Sequence, residues 1–230
     1  MNIPFDLIFV ILISYVVGSL PTAVIVSKLF FGFDIRSKGS GNMGSTNAFR
    51  VLGWKWGLFV QVLDIAKGIF AVLFIAIHFG DQITASHAWI SDVKILQIIA
   101  GIAAVCGHIW SLFVNFKGGK GVNTAAGMMI GLAPVDFGVA LLLFVVAVMM
   151  SGYISLGSII AAVAIPASLL IRSNLLHVSI PGYGTMIYFA LAIMILVIYT
   201  HRTNIKRLLK GSENKFHKLH LIKLKGKTQN

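Results

Sequence analysis

Long apolar runs separated by short clusters of small and charged residues set the pattern of this chain. The 21 positions between Asp6 and Lys28 carry no charge, enough for one membrane-spanning helix. Trp54 and Trp56 sit where an interfacial belt would open a second span, ending near Phe79. Asp81 to Asp92 reads as a loop, and a third span covers Ile95 to Phe116. From Gly121 to Ile171 only Asp136 is charged, so this stretch must be divided. Pro134 disfavours helix continuation, which places the break at Gly131–Asp136. The fourth span is then Val122–Leu132, short or re-entrant, and the fifth is Val135–Met150. Ser151-Gly152 turns the chain into a sixth span, Tyr153–Ile171, and a seventh runs over Tyr183–Tyr199 after the Ser173–Gly182 loop.

Charge then orients the spans. No Lys or Arg precedes the first run, whereas Lys28, Arg36, Lys38, Arg50 and Lys55 follow it. The positive-inside rule places the N-terminus outside and the first polar loop in the cytoplasm. The missing basic n-region also argues against a secretory signal. Nine Lys and Arg residues lie between Arg202 and Lys227. At about 1 kcal/mol per basic residue near an anionic leaflet, a single long Val122–Met150 helix that sends this tail outside is the worse solution. The expected fold is therefore all-α: a polytopic membrane protein with seven transmembrane helices, some short, and a cytoplasmic C-terminus. One integral-membrane domain spans 1–230, with 202–230 as a basic tail. Its interleaved Ile205, Leu208, Leu209, Phe216, Leu219 and Ile222 suit an amphipathic helix lying on the membrane.

Composition agrees. A chain that is 57% hydrophobic and 11% charged, with mean hydropathy +0.90, is not a soluble globular domain. The net charge of +12 would suit nucleic acid, but in so apolar a chain it points to anionic lipid and anionic substrates. Cys106 stands alone in an apolar run, which excludes an internal disulfide and suits a packing residue.

Candidate chemistry concentrates in two loops. Asp34–Arg50 is polar and glycine-rich: Gly39, Gly41 and Gly44 let backbone N–H groups turn toward one point. Ser40, Asn42, Ser45, Thr46 and Asn47 add neutral hydrogen-bonding groups, while Arg36, Lys38 and Arg50 add positive charge. The second loop, Lys117-Gly118-Gly119-Lys120-Gly121-Val122-Asn123-Thr124, has the same character and falls on the same side of the membrane. Both suit a phosphorylated ligand. Gly39-x-Gly41-x-x-Gly44 matches the dinucleotide fingerprint only in letters, because apolar helices replace the βαβ unit it requires. Gly118-Gly119-Lys120 is no Walker loop, since Val114 stands at its first glycine and Gly121 at its Ser/Thr. His87-x-x-x-x-Asp92 has the spacing of thioester-using glycerolipid acyltransferases, but lies in an outer loop on this topology.

Asp64 and Lys67, three apart on the second span, share a helix face, which suits a structural ion pair ahead of the alternative, direct substrate contact. His108, deep in the third span, fits a packing role as well as a ligand contact. Ser151, Tyr153, Ser155 and Ser158 gather at one end of the sixth span. Where the seventh span ends, His201 and Asn204 point along one helix face. No His/Cys/Asp/Glu cluster has metal-ligand spacing, and no cofactor is implied.

Taken together, these stretches resemble the bacterial acyl-phosphate-dependent glycerol-3-phosphate acyltransferases. The resemblance runs in order through Gly18-Ser19-Leu20-Pro21-Thr22, Asp34–Arg50, Asp64-x-x-Lys67-Gly68 and Gly107-His108. It continues through Phe116–Thr124, Tyr153–Ser158 and His201–Arg207 with Gly211-Ser212-Glu213. It implies a seven-span inner-membrane enzyme that works at the cytoplasmic side. The enzyme would transfer an acyl group from acyl phosphate to the 1-hydroxyl of glycerol 3-phosphate, giving lysophosphatidic acid and phosphate. By this resemblance Ser40, Asn42, Thr46, Asn47 and Arg50 form the first motif. Gly118, Gly119, Lys120, Gly121 and Thr124 belong to a phosphate loop, His201 and Asn204 to a third motif, and Ser158 supplies a hydroxyl. Ser40, Arg50, Lys120, His201 and Asn204 are the catalytic set, and the others bind substrate. Ser45 and Asn123 depart from the pattern, which has alanine at both positions. The implied partners are the two substrates, membrane lipid and a soluble enzyme that makes acyl phosphate, with the chain acting as a monomer.

The chemistry fits that expectation. An acyl phosphate is already activated and its leaving group is a stable anion, so positioning and anion stabilisation matter more than a covalent nucleophile. Arg50 suits bidentate phosphate binding and Lys120 supplies a point charge. The resemblance implies that a phosphate oxygen takes the hydroxyl proton, leaving His201 as a binder. The rival reading is a transporter of phosphorylated metabolites, for which polar groups near membrane depth are also expected.

Overall fold

A computed structural model describes residues 5–86, 92–213 and 215, and among them only helices and their connections occur. Six helical stretches are long and apolar enough to cross a membrane: Phe5–Phe31, Trp54–Gly80, Val93–Val114, Pro134–Ser151, Ile154–Leu175 and Tyr183–Thr200. Val122–Leu132 is a further, shorter apolar helix. At about 1.5 Å per residue it spans only half of a hydrocarbon core of about 30 Å. Phe9, Leu12, Leu142 and Met150 are large, apolar and exposed, the surface expected of helices solvated by lipid. The chain forms two compact units, Met1–Pro134 and Val135–Asn230.

In the first unit the opening span is not continuous. Helix α1 (Phe5–Ser19) stops short of Pro21, and α2 (Thr22–Phe31) starts after it. Hydropathy alone reads this stretch as one helix, but Pro21 removes a donor and breaks the ladder. At the break Gly18 O and Leu20 O both accept from Lys67 Nζ, at 3.2 and 2.9 Å, and Leu20 O also accepts from Thr22 N at 3.0 Å. A short 3₁₀ turn, Ile35–Ser37, leads to α3 (Ser45–Leu52) and then α4 (Trp54–Phe70). A π turn at Ala71–Ile75 joins α4 to α5 (Ala76–Ser86), where Gln97 Nε2 donates to Val72 O at 3.3 Å. A side chain from another helix thus occupies a carbonyl of the widened turn. The helix continues beyond the expected end at Phe79 because Ile83 is fully buried in a core with Leu7, Val10, Leu96 and Ala100. Of the His87/Asp92 pair, His87 lies outside the described residues. Asp92 caps α6 (Val93–Ile109) by accepting from Lys94 N at 2.9 Å.

The helix α7 (Val122–Leu132) has the bounds expected from the sequence, and α8 (Pro134–Ser151) starts at the proline that ends the run. Proline at a helix start loses nothing, because its missing N–H would be unpaired there. α7 lies close against α4. A side-chain carbon added at Gly68 would collide with Thr124 O, and one at Gly127 with Ile65 O. Small residues are what allow such a backbone approach in a membrane.

The second unit holds most of α8, then α9 (Ile154–Leu170), a π turn over Ile171–Leu175, α10 (Tyr183–Thr200) and α11 (Arg202–Leu209). Asp136, almost fully buried, accepts from Ser168 Oγ at 2.6 Å and from Arg172 Nη1 at 2.7 Å. A charge at that depth is tolerated because it is paired and hydrogen-bonded. The expected amphipathic tail is helical over α11, and residues 216–230 lie outside the described residues.

Candidate anion site

The two glycine-rich loops meet. A cavity of about 300 Å³ in the first unit is lined by Ser40, Asn42, Gly44 to Asn47 and Arg50 from one loop, and by Lys120 to Asn123 from the other. Asp64 and His108 complete it. The first loop is held from below. Ile35 and Met43 are fully buried in a core with Ala23, Val24, Ala48 and Val60. Asn47 organises its turn: Oδ1 accepts from Ser40 N at 2.8 Å, and Nδ2 donates to Lys38 O at 3.1 Å and Ile35 O at 3.3 Å. Gly39, at φ +64°, passes so close to Asn47 Oδ1 that any side chain there would strike it. Asn42 Oδ1 accepts from Gly44 N at 2.8 Å and aligns the start of α3.

Two helix starts therefore face one cavity. α3 contributes Ser45, Thr46 and Asn47 with Gly44 as its cap, and α7 contributes Val122 and Asn123 with Gly121 as its cap, at φ +75°. First-turn amides lack partners within their own helix, and the helix dipole makes that end positive. Arg50 and Lys120 also line the cavity, so its chemistry suits an anion.

Charge counting overstates the free cations. Arg36 is closed onto Asp34 through Nε at 3.0 Å and Nη2 at 2.7 Å, with Lys28 3.5 Å from the same carboxylate. The Arg36 hydrogen bonds hold the Asp34 carboxyl well below the usual carboxylate range. Lys38 Nζ lies 3.7 Å from the centre of the Phe33 ring. Of the three cations in the first loop, Arg50 lines the cavity. The second loop differs from expectation too. Gly118 N and Gly119 N donate to Ile109 O and His108 O, at 3.0 and 2.9 Å, so these amides cap the end of α6. Thr124 is fully buried and Gly68 crowds its carbonyl, placing it against α4.

Beneath the cavity lies a buried cluster. Lys67 Nζ is 2.8 Å from Asp64 Oδ1, the ion pair expected from i,i+3 spacing. Thr22 Oγ1 donates to the same oxygen at 2.6 Å, and His108 Nδ1 lies 3.2 Å from Lys67 Nζ. The sequence did not mark Thr22 as part of this group. Its signal was its place after Pro21, at the start of a broken helix.

The remaining predicted residues belong to the second unit. His201 Nδ1 lies 2.9 Å from Val197 O, consistent with an Nδ1–H donor. Asn204 Nδ2 and Ser155 Oγ both donate to Glu213 Oε1, at 2.8 and 2.9 Å, and Arg207 Nε donates to Oε2 at 2.6 Å. Glu213 thus ties α9, α11 and the Gly211 turn together, an organising role its sequence position did not reveal. Ser158 Oγ donates back to Ile154 O at 3.0 Å within its own helix, whereas Ser155 reaches Glu213.

The fold is that of an integral membrane protein, with a polar cavity lined by Arg50, Lys120 and two helix starts. Comparison with known proteins narrows this: residues 8–211 match the family model described as "Glycerol-3-phosphate acyltransferase", and the chain belongs to that family. It is 43% identical to the glycerol-3-phosphate acyltransferase of Chlorobium phaeobacteroides (strain BS1), covering 93% of this chain and 98% of the relative. It is also 43% identical to that of Chlorobaculum tepidum, covering 90% and 94%. Among solved structures it resembles PlsY (YgiH), an integral membrane glycerol 3-phosphate acyltransferase, in its glycerol 3-phosphate form. That match has a TM-score of 0.65 at 34% identity, over 93% of this chain and 97% of the other. The lysophosphatidic acid form of PlsY gives a TM-score of 0.66 at 33% identity.

Proposed function

We propose that this protein transfers a fatty acyl group from acyl phosphate to the 1-hydroxyl of glycerol 3-phosphate, releasing lysophosphatidic acid and phosphate. The observation that carries this reading is the convergence of two helix starts, Arg50 and Lys120 on one cavity of about 300 Å³. Family membership supplies the acceptor, and the chemistry of the cavity favours a phosphate-bearing donor. Arg50 grips a phosphate in bidentate fashion, and Lys120 with the first-turn amides of α7 balances the remaining charge. The 1-hydroxyl attacks the acyl carbonyl carbon and a phosphate oxygen accepts its proton. The bond from carbonyl carbon to phosphate oxygen breaks, and phosphate leaves with its electron pair. Ser40, Asn42 and Thr46 orient the reactants, and Asn47 keeps their loop in shape. Gly118, Gly119, Gly121 and Thr124 set the backbone of the second loop. His201, Asn204 and Ser158 serve as substrate-binding groups of the second unit.

An apolar groove of about 780 Å³, lined by Leu20, Ile25, Phe30, Phe59, Phe70 and Phe74, offers a berth for the acyl tail. Thr22 and Lys67 stand in its wall and join it to the cluster beneath the polar cavity. The basic loops and tail favour seven spans in a bacterial inner membrane, with the N-terminus outside and the cavity at the cytoplasmic face. The chain works as a monomer supplied by a soluble acyl-phosphate-producing enzyme.

Purified protein in detergent, given acyl phosphate and glycerol 3-phosphate, is expected to form lysophosphatidic acid and phosphate, and acyl-CoA run in parallel tests donor choice. Turnover without two compartments is incompatible with a pure transporter. No product across several lipid conditions would remove the reading. Orientation is checked with a cysteine at the exposed Ser37 in a Cys106→Ser background. Labelling from the cytoplasmic side is expected, and labelling from outside would invert the topology.

A further inference from the structure

The proton of His108 can be placed from its neighbours. Lys67 Nζ faces four atoms: Asp64 Oδ1 at 2.8 Å, Leu20 O at 2.9 Å, Gly18 O at 3.2 Å and His108 Nδ1 at 3.2 Å. An ammonium has three N–H groups, shared here among four neighbours, and no lone pair, so an N–H on Nδ1 could not donate to it and would face it donor to donor. Nδ1 lies 3.7 Å from Asp64 Oδ1, too far to donate to it. Nδ1 is therefore the bare nitrogen, and the ring proton sits on Nε2.

His108 is one of the residues that line the cavity, with Lys120 and Gly121. The Nε2 edge of the ring abuts Gly119 so closely that a side chain there would strike it. Among the described residues no protein acceptor is found for Nε2. A second observation also marks the cavity as incomplete. Asp64, likewise lining the cavity and fully buried, keeps Oδ2 without a partner among the described residues. A buried polar atom left unpaired costs free energy, and because a carboxylate oxygen only accepts, it is a ligand hydroxyl rather than a phosphoryl oxygen that would pair with Oδ2.

We propose that His108 is a ligand-binding residue whose neutral Nε2–H donates to a phosphoryl oxygen seated at the second glycine-rich loop, with Lys67 fixing its tautomer and Asp64 fixing Lys67. A neutral imidazole donor adds a directed hydrogen bond beside Arg50 and Lys120 without a further positive charge. The same device polarises a substrate oxygen where a histidine is held neutral by its surroundings. Lys67 and Asp64 act through His108 and are positioning residues. The inference rests on the phosphate-ester reading of the cavity, while the tautomer itself does not.

The test uses the full chain labelled with [15N]histidine in lipid nanodiscs, with His108→Gln to assign the signal. The expected spectrum shows a protonated Nε2 and a bare Nδ1, and the Nε2 signal moves on titration with inorganic phosphate and with glycerol 3-phosphate. His108→Ala is expected to lower kcat/KM about tenfold to a hundredfold, the range for a hydrogen bond to a charged group. His108→Gln, which keeps an N–H donor, is expected to recover much of it. Separate KM values for glycerol 3-phosphate and acyl phosphate identify which phosphate the ring meets. A proton on Nδ1, a signal unmoved by either ligand, or wild-type kinetics in His108→Ala would overturn the proposal. The spectrum decides alone where the alanine variant does not fold. If wild-type protein does not acylate glycerol 3-phosphate yet its Nε2 signal moves with inorganic phosphate, the functional reading fails and the His108 assignment stands.

Discussion

Asn123 Nδ2 donates to Ser45 Oγ at 2.8 Å, linking the first residue of α3 to the second residue of α7 across 78 positions of sequence. These are the two positions where the family resemblance leads one to expect alanine. The departures are therefore not independent, because each polar group supplies the partner of the other. The bridge joins the two helix starts that form the cavity. Ser45→Ala and Asn123→Ala are each expected to lower thermal stability, with a coupling of about 1 kcal/mol in the double-mutant cycle. Strict additivity in thermal unfolding would show that the bridge is not formed.

Arg50 and Arg36 carry the same charge in the same loop, and the structure separates their roles. Arg50 lines the cavity, whereas Arg36 is occupied by Asp34. Arg50→Ala and Lys120→Ala are each expected to lower kcat by about 10²–10³, the scale for removing one transition-state donor. Both proteins should still insert and fold. Arg36→Ala is expected to leave kcat within a few-fold, and as a partly exposed pair to cost less than about 1 kcal/mol. Parallel kinetics on the three variants checks this, and a loss at Arg36 as large as that at Arg50 would break the assignment.

The buried Asp64–Lys67 pair behaves differently from such a surface pair. Lys67→Met leaves a carboxylate without its counter-charge and removes the donor to Gly18 O and Leu20 O at the Pro21 break, of which Leu20 O keeps its bond from Thr22 N. A loss of about 3–5 kcal/mol is expected for either single substitution. Asp64→Asn with Lys67→Met removes both charges together and should lose less than the sum. Thermal unfolding of the four proteins at one lipid concentration tests the coupling.

Several of these features were legible in the sequence and others were not, for identifiable reasons. The division at Pro134 was readable because proline suits a helix start and disfavours continuation of the helix before it, and α7 has the expected bounds, whereas Pro166 lies inside α9 without ending it. The Asp64–Lys67 pair followed from i,i+3 geometry, which needs no tertiary information. The break at Pro21 was hidden because apolar residues flank it on both sides, so the span reads as continuous. Which cations are free was also hidden. Arg36 is taken by an acid only two positions away, in a turn whose shape depends on the buried Ile35. Gly118 and Gly119 looked like a cradle of free amides, yet the carbonyls that end α6 occupy them. Glu213 reads as one acid in a basic tail, because its partner Ser155 lies 58 positions away.

Glu213 also gives a pH prediction with a clean readout. It is the chain's one glutamate, so [13C]glutamate labelling yields a single side-chain carboxyl signal. Hydrogen bonds from Arg207, then Asn204, then Ser155 stabilise its charged form and pull its pKa from 4.5 to about 2. A depressed folded-state pKa means the clamp contributes fully above the unfolded value of 4.5 and is lost as pH falls toward about 2. The carboxyl signal should therefore stay in its ionised position from pH 8 down to about pH 3, roughly one unit above the folded pKa. Arg207→Gln is expected to move the midpoint up the most, because it removes the largest contribution, and Ser155→Ala the least. A wild-type midpoint near 4.5 would show that Asn204, Arg207 and Ser155 do not hold Glu213 together.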